Sequence, residues 1–548
     1  METIPSPNPL PKPIPKTEPK PKSASKAKAE PKSKLEPKSK SELKSKSDPK
    51  LEPKLNLFWP SVIVSAVFVL SLVPLIWIAL YDHPSTGDFI YGLEASKAIA
   101  KSGSLFSVFP AAAQSVHTAF AGGQGNFAAV FFMSLTPSAV SEQAYWITPL
   151  LAIAGFLLAN LLLFKQVLMN TLKANLWAYF LFSAVSIGMS LNFLPSPAQG
   201  LYWYSGTVLY TGCYSLFLIV VSLVLLFYRA KKLPMKILCG VIVVVASVLL
   251  GGGNGSTALL TIVVLAALAV LGFLKRTIRA VLPAVSVFLA TEALLFSVFA
   301  TMQTPIHHGA LIEFSALPGA FLNSLKAALV YPYQWTTPQV VLAALFLILP
   351  ISSIVRTSKF SFRLPLLVPA ASFVVLFLQF LPSYYTWGTV EAPGLLNIVY
   401  FSYVLLVLVN LFYFTGWLFR QFAKPESKDA EQTVFQRWVS LSQKYVFPVL
   451  IVFGVLFSLS CVGSNNVRKI TSASAVISIL DGEAAQYHGE LSQRRTVYQK
   501  SQQKDVTVKP LSAKPYVLYV GDLQADPNAP ENVAVSKYYD LKSVTQKP

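Results

Sequence analysis

The residues best suited to chemistry lie at 81–89, where YDHPSTGDF places two carboxylates and an imidazole directly after a long apolar run. Asp88 is the leading candidate, because a carboxylate at the end of a membrane span can act as a general base toward an attacking hydroxyl group. His83 and Glu94 lie near it in the sequence and are candidate substrate-binding residues. The local sequence alone favours a structural interpretation: Asp is favoured as an N-cap, and Asp88 would cap a helix over residues 89–100. The two roles are compatible.

A second ionisable residue, Glu292, lies deep inside an apolar run, in the segment FLATEALLF. An ionisable group at the centre of a membrane helix costs about 2.5–3.5 kcal/mol on insertion scales. We therefore expect Glu292 to face the interior of a helix bundle, a partner or a water-filled cavity. It is either a substrate-binding group or a buried glutamic acid that hydrogen-bonds a hydroxyl group.

Two glycine-rich segments could approach a ligand closely. GGGNGS at 251–256 joins two apolar runs and contains Asn254, and its glycines allow either a tight turn or exposed N–H groups that meet an anion. A simple hairpin between two spans is the alternative. GGQGNF at 122–127 supplies Gln124 as a further candidate.

Aromatic and basic residues in other connections could contact a sugar phosphate. Trp203 and Tyr204 in LYWYSG could stack on a sugar ring, although such residues also form the aromatic belt at a membrane–water interface. His307, His308 and Lys326 could contact a phosphate. The three cysteines show no metal-ligand spacing, so the sequence identifies no metal ligand, and it leaves the cofactor undefined.

The elements that position these residues follow from composition. The 548 residues are 53% hydrophobic and 13% charged, which is typical of a membrane protein. Because a bilayer core is about 30 Å thick, each helical crossing needs about 20 mostly apolar residues. Such runs predict eleven spans, at 57–81, 146–164, 174–193, 205–228, 236–251, 257–274, 280–300, 338–355, 364–381, 396–416 and 445–463.

Charge in the connections predicts the orientation of these spans. Lys and Arg concentrate in alternate short connections, which places the N-terminus inside and the C-terminus outside. The predicted fold is therefore an all-α polytopic membrane protein with about eleven transmembrane helices, a transmembrane domain over 55–463 and a long first outer loop at 82–145. Surface helices in that loop should break at Gly103 and at Gly122-Gly123. Residues 464–548 should form a small extracytoplasmic α/β region, with a helix over 467–500 and strands in VTVKPL and YVLYVGDL.

The first 54 residues form a Lys/Pro-rich tract that is too polar to fold, so we predict a disordered cytoplasmic tail. The tract contains no Arg and no aromatic residue for base contacts, which argues against nucleic-acid binding. It serves either as a spacer or as a segment attracted to the anionic lipids of the inner leaflet.

Several motifs together resemble a group of bacterial polytopic membrane proteins that are similar to glycosyltransferases of the GT-C type. The motifs are HPSTGDF, GGQGNFAAVFFMSLTP, YWYSGTVLYTGCYSLFL, GGGNGSTALLT and the C-terminal YVLYVGDLQADPNAPENVAVSKYYDLKSV, and the likeness covers about residues 57–545. Enzymes of that type take a sugar from a polyprenyl-phosphate carrier and pass it to an acceptor hydroxyl at the outer leaflet. The resemblance implies that Asp88 is the base and that the bacterial cell membrane is the location.

One position departs from that group, whose members often carry two adjacent acids where this chain has Gly87-Asp88. The departure leaves a single carboxylate for the catalytic role. The expected function is transfer of a sugar to a cell-surface glycan acceptor by single displacement. Two alternatives stay open: a transporter or flippase of a lipid-linked saccharide, suggested by Glu292 and the glycine-rich turn, and a non-catalytic membrane scaffold.

Overall fold

The structure is a computed structural model. It describes residues 56–547 apart from 276, 278–279, 303–315, 359, 391, 423–440, 442–444, 446–447, 450–451 and 462–466. The predicted cytoplasmic tail, His307 and His308 therefore lie outside the described residues.

Helices dominate the described part of the chain. In order they are α1 (Phe58–Ile78), α2 (Thr86–Ser102), α3 (Val108–Ala121), α4 (Phe127–Met133), α5 (Pro137–Val140), α6 (Ile147–Phe164), α7 (Leu176–Asn192), α8 (Tyr204–Gly206), α9 (Cys213–Arg229), α10 (Leu233–Gly251), α11 (Gly255–Leu274), α12 (Val281–Met302), α13 (Leu317–Trp335), α14 (Pro338–Thr357), α15 (Leu367–Trp387), α16 (Pro393–Phe422), α17 (Val452–Cys461), α18 (Thr471–Leu480), α19 (Glu483–Lys500) and α20 (Pro530–Tyr538). Two short strands, β1 (Asp505–Val508) and β2 (Ser543–Gln546), pair in parallel, with Asp505 opposite Ser543.

Nine helical segments of the described residues are long and apolar enough to cross a membrane, and each coincides with one of the eleven predicted spans. They are Phe58–Tyr81, Glu142–Thr171, Tyr204–Arg229, Leu233–Gly251, Gly255–Leu274, Val281–Phe299, Pro338–Arg356, Leu367–Thr386 and Pro393–Gln421. The predicted span at 174–193 corresponds to the shorter apolar helix α7, and the described part of 445–463 includes α17. The chain is thus a polytopic, largely helical membrane protein.

The segment 82–145 contains the predicted helices, and they end at the predicted glycines. Gly103 closes α2 in the left-handed conformation, with φ at 69°, where residues other than glycine are strained. Gly122 caps the end of α3, and Gly123 follows with φ at 81°. These turns fold α2, α3 and α4 against one another beside the end of α1.

The C-terminal region packs into the same apolar core as the membrane helices. Tyr487 of α19 and the buried pair Val517 and Leu518 join a core that includes Leu75 of α1 and Phe156 of α6. This packing fixes the C-terminal region against the end of α1 at which the YDHPSTGDF segment begins.

Two details of the sequence prediction are wrong. The segment YVLYVGDL forms no strand: residues 516–518 make a turn, and its apolar side chains are buried because they fill the core. The predicted single helix over 467–500 is two helices, because Asp481 ends α18 and Gly482 turns the chain with φ at 79°. In addition, the long connection at 301–337 contains α13, a helix that we did not predict.

Candidate functional site

The carboxylate of Asp88 lies at the centre of a buried hydrogen-bond network. Its Oδ1 accepts hydrogen bonds from the backbone N–H and the hydroxyl of Ser205, at 2.9 and 2.7 Å. Its Oδ2 accepts from the Tyr145 hydroxyl at 2.5 Å and from the Ser85 backbone N–H at 3.0 Å. The residue has no exposed surface. Burial raises the pKa of Asp88 above its usual value, and the four hydrogen bonds oppose part of that shift.

This network also explains where α2 begins. Ser85 is the N-cap and Asp88 is the third helical residue, and the two exchange the reciprocal hydrogen bonds of a capping box. Asp88 does take part in capping this helix, as predicted, but it is not the N-cap residue. The helix starts at Thr86 rather than at Phe89. Asp88 therefore ties the start of α2 to the segment before α6 and to α8.

Gly87 allows an indole ring to lie on the backbone at the start of α2. A Cβ atom built at Gly87 would lie 2.8 Å from Cζ2 of Trp203 and 3.2 Å from the Cβ of Ser205. A second acid at this position would therefore displace the Trp203 ring. Packing of Trp203 therefore accounts for a glycine before Asp88 in this chain.

A pair of imidazoles joins the YDHPSTGDF segment to the C-terminal region. Nε2 of His83 lies 3.0 Å from Nδ1 of His488 on α19, so one ring donates and the other accepts. Burial, followed by the charges of His488 and Arg495, lowers the pKa of His83 to about 3. The adjacent Asp82 is also buried, and burial raises its pKa well above the usual value. At neutral pH, His83 is therefore uncharged.

Just beyond this pair, Glu142 forms a cluster with residues of the C-terminal region. The Tyr539 hydroxyl donates to Oε1 of Glu142 at 2.7 Å, and Nε of Arg495 lies 3.4 Å from its Oε2. Burial and the negative charge of Glu142 raise the pKa of Tyr539 far above its usual value. We call Glu142, Arg495 and Tyr539 the junction cluster.

A second ion pair supports the junction cluster from within the C-terminal region. Nη1 of Arg494 lies 2.6 Å from Oδ1 of Asp522, and both side chains are about nine-tenths buried. Nη2 of Arg494 also donates to the Lys509 carbonyl at 2.5 Å. Arg494 is thus held by its own partners, and the neighbouring Arg495 points toward Glu142.

The junction cluster borders two cavities. The smaller, of about 70 Å³, is also lined by His83 and Arg494. The larger, of about 400 Å³, opens between α2, α5 and the C-terminal region, and we call it the polar cavity. Besides the junction cluster, its polar lining includes Ser96, Ser138, Ser141, Gln499, Gln502 and Tyr538. Hydroxyl, amide, carboxylate and guanidinium groups together can hydrogen-bond a sugar or a phosphate.

The other candidates near α2 are placed as follows. Glu94 lies on a partly exposed side of α2 and forms an ion pair with Lys97 at 3.4 Å. Nε2 of Gln124 donates to the Tyr91 hydroxyl at 2.5 Å. The Tyr204 hydroxyl donates to the Phe132 carbonyl at 3.1 Å. The first pair lies within α2, the second joins the turn after α3 to α2, and the third joins α8 to α4. None of the three residues lines the polar cavity.

The glycine-rich turn around Asn254 has a structural role in this fold. The Asn254 side chain accepts hydrogen bonds from the backbone N–H groups of Ser256 and Thr257 and so caps α11. The Gly252 carbonyl accepts from the N–H of Ala128 at 2.8 Å, which docks the start of α4 onto the turn. This geometry agrees with a hairpin between two spans.

Glu292 and Lys326 lie away from the polar cavity. Glu292 is exposed on α12, so the expectation that it faces the interior of this chain's own bundle is wrong; a partner remains open. Lys326 is exposed on α13. Among the described residues, no group of three or more His, Cys, Asp or Glu could hold a metal ion.

Sequence reasoning missed the junction cluster. Glu142, Arg495 and Tyr539 belong to three separate segments, and only packing of the C-terminal region brings them together. The adjacent arginines in SQRRTVY were the available signal, because they are unusual in a region predicted to lie outside. Tyr145 and Ser205 gave no local signal as partners of Asp88.

Fold and site together define a polytopic membrane protein in which α2, α5 and the C-terminal region border a polar cavity. In comparisons with protein families, with curated proteins and with solved structures, nothing matches this chain.

Proposed function

We propose that this chain is a membrane glycosyltransferase of the GT-C type, which moves a sugar from a polyprenyl-phosphate carrier to a glycan acceptor on the outer face of a bacterial cell membrane. The polar cavity carries the proposal. Its volume of about 400 Å³ falls in the range of small-molecule sites, and its lining suits a saccharide. Helix α2, which begins within the motif HPSTGDF, lines it through Ser96.

In the proposed reaction, an acceptor hydroxyl oxygen attacks the anomeric carbon of the donor sugar. The bond from that carbon to the carrier phosphate breaks, the phosphate leaves with the electron pair, and the hydroxyl proton passes to a carboxylate. One displacement inverts the anomeric centre. The site must therefore hold a carboxylate that a substrate can reach and a group that favours the leaving phosphate.

Glu142 meets the first requirement better than Asp88 in this geometry. Both carboxylates have protein partners at their two oxygens. They differ in access, because Asp88 has no exposed surface, whereas the Glu142 side chain is 9% exposed and borders the polar cavity. We therefore assign proton acceptance to Glu142 and treat Asp88 as a positioning residue that holds α2 in place. The sequence-based assignment of Asp88 as the base stays a prediction. The variants described next distinguish it from the assignment of Glu142.

Arg495 meets the second requirement. Its side chain is 27% exposed and borders the polar cavity, where its guanidinium group lies beside Glu142. A guanidinium group suits phosphate because its N–H donors match the phosphate oxygens. Arg495 thus supplies a guanidinium group, which the predicted outer loops before the C-terminal region lack.

The experiment compares variants in the native host after deletion of the gene. We expect Glu142→Gln to lose the surface glycan that wild type restores, and Glu142→Asp to recover part of it. Asp88→Asn should retain glycan in proportion to the protein that remains folded. Glu94→Gln, a change of the same chemistry on the partly exposed side of α2, is the matched control. Surface glycan composition is measured by mass spectrometry alongside protein abundance in the membrane.

The outcomes separate the alternatives. Normal glycan in Glu142→Gln at normal abundance would refute the assignment of Glu142. Loss of glycan in Asp88→Asn at full abundance and stability would restore Asp88 as the base. Normal glycan in the deletion strain itself would reject the transferase proposal and favour the scaffold.

A further inference from the structure

Helix α12 packs against its own bundle through small residues. Ser286, Ala290, Ala293 and Ser297 are buried along one face. A Cβ atom built at Gly251, the last residue of α10, would lie 2.4 Å from the Ala290 carbonyl oxygen, so the two backbones approach closely there. This face of α12 is therefore buried against the other helices of the chain.

The opposite face of α12 is exposed and follows a regular spacing. Along this face, large apolar residues and Glu292 follow one another at intervals of alternately four and three residues. They are Val281, Val285, Phe288, Glu292, Leu295 and Phe299. This is the heptad pattern of a helix that packs along a second helix. In that pattern Glu292 occupies the kind of position at which one polar residue fixes the register of a helix pair.

Glu292 distinguishes this face from an ordinary lipid-facing surface. Of all the Asp, Glu, Lys and Arg residues in the nine candidate spans of the described residues, Glu292 lies farthest from the nearer end of its span. Lipid offers no hydrogen-bond partner, so an ionisable side chain at this depth requires a polar partner.

We propose that this face binds the same face of a second copy of the chain. The two α12 helices would run parallel about a twofold axis along the membrane normal, and Glu292 would lie against Glu292 of the other copy. A symmetric pair suits the pattern because a twofold contact sets each residue of the seam opposite its equivalent. The two Glu292 side chains face each other across the axis, and Phe288 and Leu295 pack above and below them.

Cysteine cross-linking in membranes tests this contact. In a background from which Cys213, Cys239 and Cys461 have been removed, Leu295→Cys should form an oxidised dimer. Val270→Cys on α11 is the matched control, because Val270 is 55% exposed and Leu295 57%. A Leu295→Cys product no more abundant than that of the control, or one that contains a different protein, would overturn the proposal.

Substitution at Glu292 tests the role of the carboxyl group. Glu292→Gln can still hydrogen-bond across the pair and should keep the dimer, whereas Glu292→Leu should weaken it by about 3- to 30-fold in dissociation constant. Single-molecule photobleaching in lipid vesicles at a series of protein-to-lipid ratios measures that constant. A wild-type chain that remains monomeric over the whole series, or equal constants for all three proteins, would contradict the proposal.

Discussion

Replacing Asp88 with Asn tests whether this carboxylate is a structural anchor. Its two oxygens accept four hydrogen bonds, and two of the donors are backbone N–H groups, one from Ser85 and one from Ser205. An Asn side chain offers one oxygen and one NH₂ group. If the NH₂ group faces Ser205, it meets the Ser205 N–H, and if it faces Tyr145, it meets the Ser85 N–H. Either orientation leaves one buried backbone donor without an acceptor.

The expected cost follows from that single mismatch. A hydrogen bond to a charged group contributes about 1.5–3 kcal/mol, and an unsatisfied buried donor costs about 1–3 kcal/mol, so we expect Asp88→Asn to lower the free energy of unfolding by about 2–4 kcal/mol. Unfolding in mixed micelles, followed by circular dichroism as the fraction of denaturing detergent rises, measures this quantity. Glu94→Gln should change it by less than about 0.5 kcal/mol, because the ion pair of Glu94 with Lys97 is exposed.

An Asp88→Asn protein as stable as the Glu94→Gln protein would refute the anchor role. The four hydrogen bonds would then contribute nothing beyond what an amide provides. Asp88 would again be a candidate for the base, because its carboxylate would then have no structural purpose in this network.

Two further predictions concern packing and pH. Gly252→Ala should destabilise the chain by about 1–3 kcal/mol, because the new Cβ atom would lie 2.2 Å from Cζ of Phe127. Gly240→Ala is the control: the space around Gly240 is open, so this change should be neutral or stabilising. Thermal unfolding of both variants measures the difference. Stability should fall as the pH drops below about 6.5, because the unfolded chain then gains a proton at His83 that the folded chain, with a pKa of about 3, does not bind. A His83→Gln protein should lose less stability over that range, and equal pH slopes for wild type and variant would count against a buried, uncharged His83.

The membrane spans could be predicted because length and apolar composition determine them locally. Nine predicted spans coincide with helices of spanning length in the described part of the chain. Helix α13 escaped prediction because Lys326 and Pro332 interrupt its apolar pattern. It forms nevertheless, because buried alanines such as Ala328 pack against Phe380 of α15.

The candidate site could be predicted only in part. The segment containing Asp88 was identified because its residue types stand out next to an apolar run. Its burial could not be foreseen, because Tyr145 and Ser205 lie 57 and 117 residues away along the chain. The junction cluster depends on the same kind of long-range contact, in which Tyr539 reaches Glu142 across 397 residues.

The transporter hypothesis stays a prediction. Of the two features that suggested it, Glu292 is exposed on α12 rather than directed into the bundle, and the turn at Asn254 is capped and packed against α4.

A transferase of the proposed kind consumes a lipid-linked sugar, so the quantity of that donor in the membrane reports on its activity. Polyprenyl-phosphate sugars are extracted from membranes of the deletion strain and of strains complemented with wild type or Glu142→Gln, and are measured by mass spectrometry. We expect one such lipid to accumulate severalfold in the deletion and Glu142→Gln strains and to return to its normal amount with wild type. Equal amounts of every lipid-linked sugar in all three strains would contradict the proposed transferase function.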